Sequence, residues 1–179
     1  MERGSGINRV KRYPLSDSDI RQILGDDIKI TTYPELGEMN SVEDMFDNKG
    51  RAILFFPNAS PTQGHWTALI NHPKYIEFFD SYGEKPDDQK GGMSAHRLEA
   101  LDIDRPYLTK LLKASGKPVY YNTKDYQQNK QSVATCGRHA IGRLLYANQP
   151  IEDYDTVVTD SGLKPDDFVS GLTYKALKK

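Results

Sequence analysis

The chain has almost no cysteine: one, Cys136, in 179 residues. A single thiol cannot close an internal disulfide, so a reducing compartment is expected and the thiol stays free. Long apolar runs are also missing. None reaches the ~18–20 residues of a membrane span, and the opening "MERGSGINRV" lacks the apolar stretch of a signal peptide. Neither sign of charge is in excess. With 24 basic and 25 acidic residues, net −1, a broad nucleic-acid or anionic-membrane footprint is not expected. No period of solenoid length recurs. One cysteine and four scattered histidines lack the close ligand pairs of a structural zinc site. No metal and no cofactor are therefore expected.

The length is enough for one domain with a proper core, spanning 1–179, with residues 1–14 as a flexible arm around the basic cluster "NRVKR". Strand and helix signals mix without a regular βαβ alternation. "IKITTY", "RAILFF", "HWTALI", "YIEFFD" and "KPVYYN" read as strands. "PLSDSDIRQIL" reads as a helix capped by Ser16 or Ser18, and "NSVEDMF" as a short helix with a capping box. "DRPYLTKLLKAS" has Pro106 in its first turn, and "KPDDFVSGLTYKAL" has Pro165 near its start. "TCGRHAIGRLLYAN" gives a helix with Ala140, Ile141, Leu144 and Leu145 on one face. "DYDTVVTDSG" fits either element, and "KPDDQKGG" reads as a mobile loop. The class is α+β: a mixed, mostly antiparallel central sheet with helices packed around it.

"NHPK", residues 71–74, separates two of the strands and suits a hairpin loop. Ile70 then pairs with Tyr75, and counting outward puts His65 directly opposite Asp80. Opposed residues of an antiparallel pair share a face with Cβ atoms ~4.5–5.5 Å apart. A carboxylate at that range fixes an imidazole's tautomer and stabilises its cation. An ordinary cross-strand polar pair would look the same, and a one-residue slip would separate the two side chains. His72 falls in the loop and His96 in a polar stretch. His139 lies one helical turn after Cys136 and can touch it, but no carboxylate nearby in the sequence orients it.

Free cysteine is most often a small buried hydrophobe. At the first turn of a helix, however, the helix dipole and an approaching His65 would both favour thiolate. Gly137 removes a side chain where a substrate backbone would approach. A thiol, a base and an orienting carboxylate are the parts of covalent acyl transfer, which also needs donors for the developing oxyanion. The Cys136 N–H is one. A side-chain amide from Gln127, Gln128 or Gln131 in "YQQNKQSVATC" is another.

In order, "GHWTALI", "FFDSYG", "YNTKDYQ" and "TCGRH" resemble the adenain-like cysteine proteases. These are the adenovirus maturation protease and its relatives in giant viruses, virophages and large DNA transposons, distant kin of the proteases that process SUMO-like modifiers. The likeness covers roughly residues 15–150. It implies His65 as general base, Asp80 as its orienter, Cys136 as nucleophile and Gln127 as oxyanion donor. Trp66 and Gly137 match the substrate-side aromatic and glycine. The loop between Gln127 and Cys136 is longer than in the adenovirus enzyme, which leaves Gln128 and Gln131 open.

The resemblance further implies a monomeric thiol endopeptidase cutting capsid precursor polypeptides beside small residues, commonly glycine, in the virion and the cytoplasmic viral factory. A deconjugating protease for ubiquitin- or SUMO-like modifiers uses the same cleft. An acyltransferase and an inactive scaffold are further members of the same set. The adenovirus enzyme's activators, a disulfide-linked peptide and DNA, do not carry over, because this chain has neither a second cysteine nor a basic excess.

Overall fold

The computed structural model describes residues 3–177, which form an α+β structure around one mixed five-stranded sheet. The strands are β1 (Lys29–Thr32), β2 (Arg51–Ser60), β3 (Gln63–Asn71), β4 (Ile76–Phe79) and β5 (Val119–Tyr121), and they lie side by side in chain order. β2, β3 and β4 pair antiparallel, whereas both outer strands, β1 on β2 and β5 on β4, pair parallel. The antiparallel character is therefore central, and the edges depart from it.

The first seven residues of β2 are all buried, as expected for a strand covered on both faces. Its alternate residues enter two cores. Ile53 and Phe55 join Trp66, Ala68, Ile70 and Phe79 on one face. Ala52, Leu54 and Phe56 join Leu69, Ile76 and Phe78 on the other. The first face is covered by α2 (Asp17–Leu24), α5 (Cys136–Leu145) and α6 (Ile151–Asp160), through Ile20, Leu24, Ala140, Ile141, Leu144, Tyr154 and Val158. The second is covered by α4 (Tyr107–Ala114) and 3₁₀ turns at Tyr33–Glu38 and Val42–Met45. Two further helices are α3 (Ala95–Ala100) and α7 (Pro165–Leu177).

Local chemistry accounts for most helix starts. Ser16 caps α2 with a capping box through Asp19, and Ser41 does the same with Asp44. The ambiguous stretch is α6, started by Pro150 with Glu152 and Asp153 in its first turn and anchored by Tyr154 and Val158 four residues apart. Two expectations change. Leu145 is 44% exposed and does not share the buried face of α5. The stretch read as an arm contains α1 (Arg3–Arg12), whose Lys11 pairs with Asp167 at 2.8 Å and accepts a backbone bond from Ala134; residues 1–2 of it lie outside the described residues.

The hairpin differs by two residues from the sequence count. The ladder runs from Asn71↔Ile76 to Ala68↔Phe79, and the His72 N–H bonds the Tyr75 carbonyl at 2.9 Å. The loop is thus only Pro73 and Lys74, and the rings of His72 and Tyr75 stack above it, 4.2 Å apart. Extending this register puts Tyr82, not Asp80, opposite His65. The slip is even, so Asp80 keeps its face and sits diagonal to His65. Asp80 follows β4, and the turn beyond it needs Gly83. That residue has φ +74°, and a Cβ there would meet the Thr123 carbonyl oxygen at 2.7 Å.

A buried ion pair ties α5 to the sheet. The Arg143 guanidinium donates to both Glu77 oxygens, at 2.7 and 2.9 Å, and to the carbonyls of Tyr146 and Gln149. Arg143→Met would leave a buried carboxylate short of partners and should cost about 3–5 kcal/mol. Arg143→Met with Glu77→Leu should recover much of that loss. Urea titration of both variants checks this; equal stabilities would contradict it.

Candidate active site

β3 starts, β4 ends and α5 begins at one end of the sheet, and the loop after β5 returns there. An open cleft of about 1030 Å³ lies at this end. His65, Trp66, Gln127 and Cys136 all line it, as do Tyr82, Glu84, Gln89 and the segment Pro14 to Asp17.

His65 stands between two partners. Its Nε2 meets Asp80 Oδ1 at 3.1 Å, and its ring also faces the Cys136 thiol. With Nε2 engaged, Nδ1 is the ring nitrogen left for sulfur. Tyr82 stacks on the ring with centroids 5.3 Å apart, as the corrected register requires. Asp80 is fully buried. Its Oδ1 also accepts the Tyr82 N–H at 2.7 Å, and its Oδ2 accepts the Gln89 amide at 2.7 Å.

The electrostatics of the three groups agree. Burial opposes the imidazolium, but Asp80 and the sulfur outweigh it and raise the His65 pKa to about 10. Burial pushes the Cys136 thiol up, yet the facing His65 and the N–H groups of Trp66 and Gly137 bring it below its ordinary value. Burial likewise pushes Asp80 up, and His65, the Tyr82 N–H and Gln89 bring it down. Each displacement favours the thiolate–imidazolium–carboxylate form.

Cys136 is the first residue of α5, so its N–H has no acceptor within its own helix. Of the three glutamines just upstream of Cys136, Gln127 is the one that reaches the cleft; Gln131 is exposed, and neither it nor Gln128 lines the cleft. The Gln127 carbonyl oxygen accepts the Ser81 hydroxyl at 2.7 Å, and its backbone N–H bonds the Ser81 carbonyl at 3.0 Å. That grip leaves the amide nitrogen only a long 3.5 Å contact with the Val133 carbonyl.

Trp66 is buried against Phe55, with ring centroids 4.5 Å apart, and its indole N–H bonds the Leu15 carbonyl at 3.1 Å. It forms a fixed wall of the cleft. Gly137 does something other than clear a path for substrate. It is buried, and a Cβ there would meet Trp66 Cδ1 at 3.1 Å and Leu15 Cβ at 3.4 Å. The space it leaves is filled by the protein itself, which lets α5 approach β3.

His139 does have a carboxylate. Asp166, on α7 and 27 residues away in sequence, meets its Nε2 at 2.9 Å, and both groups are buried. Gln89 was invisible to sequence reading, since it lies in the stretch "KPDDQKGG" read as a mobile loop. That stretch is anchored instead. Asp87 bonds the hydroxyls of Tyr33 and Thr109, and Lys90 bonds the Tyr33 oxygen at 3.0 Å. Asn122 was also missed; it brackets the Asp80 peptide by accepting the Asp80 N–H and donating to its carbonyl. No local pattern signals either residue. Among the described residues no group of three or more histidine, cysteine or acidic side chains is placed to hold a metal ion, and no helix is long and apolar enough to cross a membrane.

The chain is 31% identical over 168 residues to the uncharacterized protein V9 of Sputnik virophage, an alignment covering 91% of this chain and 95% of that one. No known family profile matches it. Among solved structures, the central domain of the uncharacterized Lpg1148 protein from Legionella pneumophila superposes with a TM-score of 0.45 at 15% identity, over 93% of this chain and 98% of that one. That likeness is too slight to bear on fold family or function.

Iodoacetamide alkylation of Cys136 should have its midpoint below the ordinary thiol pKa of ~8.5. Removing the imidazole in His65→Ala should move the midpoint upward. Rate–pH profiles of the two proteins check this, and coincident profiles would show that His65 does not act on the sulfur.

Proposed function

This chain belongs to the family of the Sputnik virophage protein V9, and we propose that it is a cysteine endopeptidase of the adenain-like kind. The observation that carries the reading is the position of His65. Its ring bridges a buried carboxylate and the chain's one thiol within a single open cleft.

The reaction follows from that geometry. The Cys136 thiolate attacks a scissile peptide carbonyl. The Gln127 amide and the Cys136 N–H donate to the resulting oxyanion, so the negative oxygen meets fixed dipoles in place of mobile water. The His65 imidazolium protonates the leaving amine as the C–N bond breaks, which leaves a thioester on Cys136 and a neutral imidazole. That imidazole then takes a proton from water as the oxygen attacks the thioester. The C–S bond breaks, the product leaves as a carboxylic acid that gives its proton to solvent, and the thiolate–imidazolium pair is restored. Asp80 holds the ring and favours its cation throughout.

An open cleft suits an extended polypeptide better than a small metabolite. Viral kinship and the adenain-like motifs together favour capsid precursors as the polypeptide, with small residues just before the cut. The site of action would be the assembling particle and the viral factory around it.

Incubation with the cognate capsid precursors, followed by mass mapping of new termini, tests the reading. Cys136→Ala should abolish every new terminus, and residual cutting would remove Cys136 from the mechanism. Asp80→Asn should lower turnover through loss of the productive tautomer. Gln127→Ala should lower kcat about 10²-fold with the thiol still reactive toward iodoacetamide. Cleavage of Gly-Gly modifier tails in place of capsid precursors would make the enzyme a deconjugating protease with the same chemistry.

A further inference from the structure

Asp166 opens the last helix of the chain, where an acidic residue ordinarily does no more than complement the helix dipole. This one is 1% exposed. A carboxylate taken that far from water needs compensating donors. Asp166 has three, and none comes from its own helix. Oδ1 accepts the Thr135 hydroxyl at 2.6 Å and the His139 Nε2–H at 2.9 Å. Oδ2 accepts the Gln128 backbone N–H at 3.0 Å. Burial outweighs the carboxylate at His139 and lowers its pKa, which favours the neutral ring. Among the described residues its Nδ1 has no hydrogen-bond partner.

The partners stand immediately beside the proposed chemistry. Thr135 precedes the nucleophile, and Gln128 follows the oxyanion donor. Between them runs a loop whose residues Asn129, Lys130, Gln131 and Ser132 are all exposed. One carboxylate therefore pins both ends of a loop whose middle is solvated and whose other outside backbone tie is the Ala134 N–H on the Lys11 carbonyl. Thr135 is also the N-cap of α5, yet its side chain makes no capping bond to that helix. An N-cap hydroxyl ordinarily accepts from the first-turn N–H groups. Here it donates to Asp166 instead, which leaves those N–H groups to the thiolate and the oxyanion.

We propose that Asp166 is a positioning residue that fixes the separation of the Cys136 thiol from the Gln127 amide by holding Thr135 and the Gln128 peptide on one carboxylate. The inference rests on the roles given above to Cys136 and Gln127. Misplacing reacting groups by about 1 Å costs on the order of 10² in rate, and the oxyanion donor is the part most sensitive to this separation. The thiolate is favoured most by His65, which Asp166 does not touch, and less by the Trp66 and Gly137 N–H groups.

Asp166→Asn keeps the shape and weakens the acceptors. Thr135→Val removes one tie only and serves if Asp166→Asn fails to fold. Both should lower kcat on a capsid-precursor peptide at least about tenfold with KM little changed. Cys136 alkylation by iodoacetamide should stay within about twofold of the parent, while Thr135→Ser, which keeps the hydroxyl, should restore most of the turnover. Backbone hydrogen exchange should rise at residues 128–135 and not in β2 or β3. Unchanged kcat and exchange in both variants would overturn the proposal. So would a fall in kcat matched by equal losses in alkylation and thermal midpoint, which is general loosening. If the parent cleaves no peptide, the peptidase reading fails. The exchange data still judge the tether: faster exchange confined to 128–135 supports it, and unchanged exchange refutes it.

Discussion

A carboxylate with no access to water must be compensated from every side, and that requirement at Asp80 organises this end of the sheet. His65, the Tyr82 N–H and Gln89 supply the compensation, and Asn122 brackets the peptide that carries it. The neighbouring Ser81 then grips Gln127 through both side chain and backbone. Two consecutive residues after β4 thus hold the imidazole and the amide that line one cleft with the thiol. Loosening the turn around them would release both partners together, which is why Gly83 in the turn and the anchored Asp87–Lys90 stretch, which carries Gln89 into the cleft, both matter.

The thiol reaches that site because α5 can lie close on β3. Gly137 admits the Trp66 indole, and Trp66 in turn bonds Leu15, so helix, strand and N-terminal segment meet at one contact. Arg143, two turns along α5, is pinned to Glu77 on β4. Asp166 adds a tie from α7 to the start of α5. A helix held at both ends has little freedom to slide, and a thiol at its first residue inherits that rigidity. The viral relative aligns over 91% of the chain.

The element types were legible because they rest on local rules. Strands showed as β-branched and apolar runs, and helices as serine caps, early prolines and i, i+4 pairs such as Ala140 and Leu144, while "DYDTVVTDSG" fitted either element until the fold made it α6. The outer parallel pairings were not legible, since strand order depends on how crossovers pack and not on the strands themselves. Leu145 escaped because hydrophobicity alone does not say which residues a helix buries. The histidine–aspartate pairing survived a wrong loop. The count placed the two residues opposite each other, and the tighter turn at Pro73–Lys74 moved them to a diagonal.

The sequence by itself determined that His65 and Asp80 share a face, because side chains alternate with a period of two and an even slip leaves parity unchanged. It also determined that Cys136 opens a helix, because the apolar spacing begins there. Only the tertiary structure decided which glutamine enters the cleft, what holds Asp80 from behind, and why residue 137 is glycine. It alone gave His139 its carboxylate. Those contacts join residues up to dozens of positions apart with no local signature, and they exist only once both faces of the sheet are covered and the buried charges must find donors.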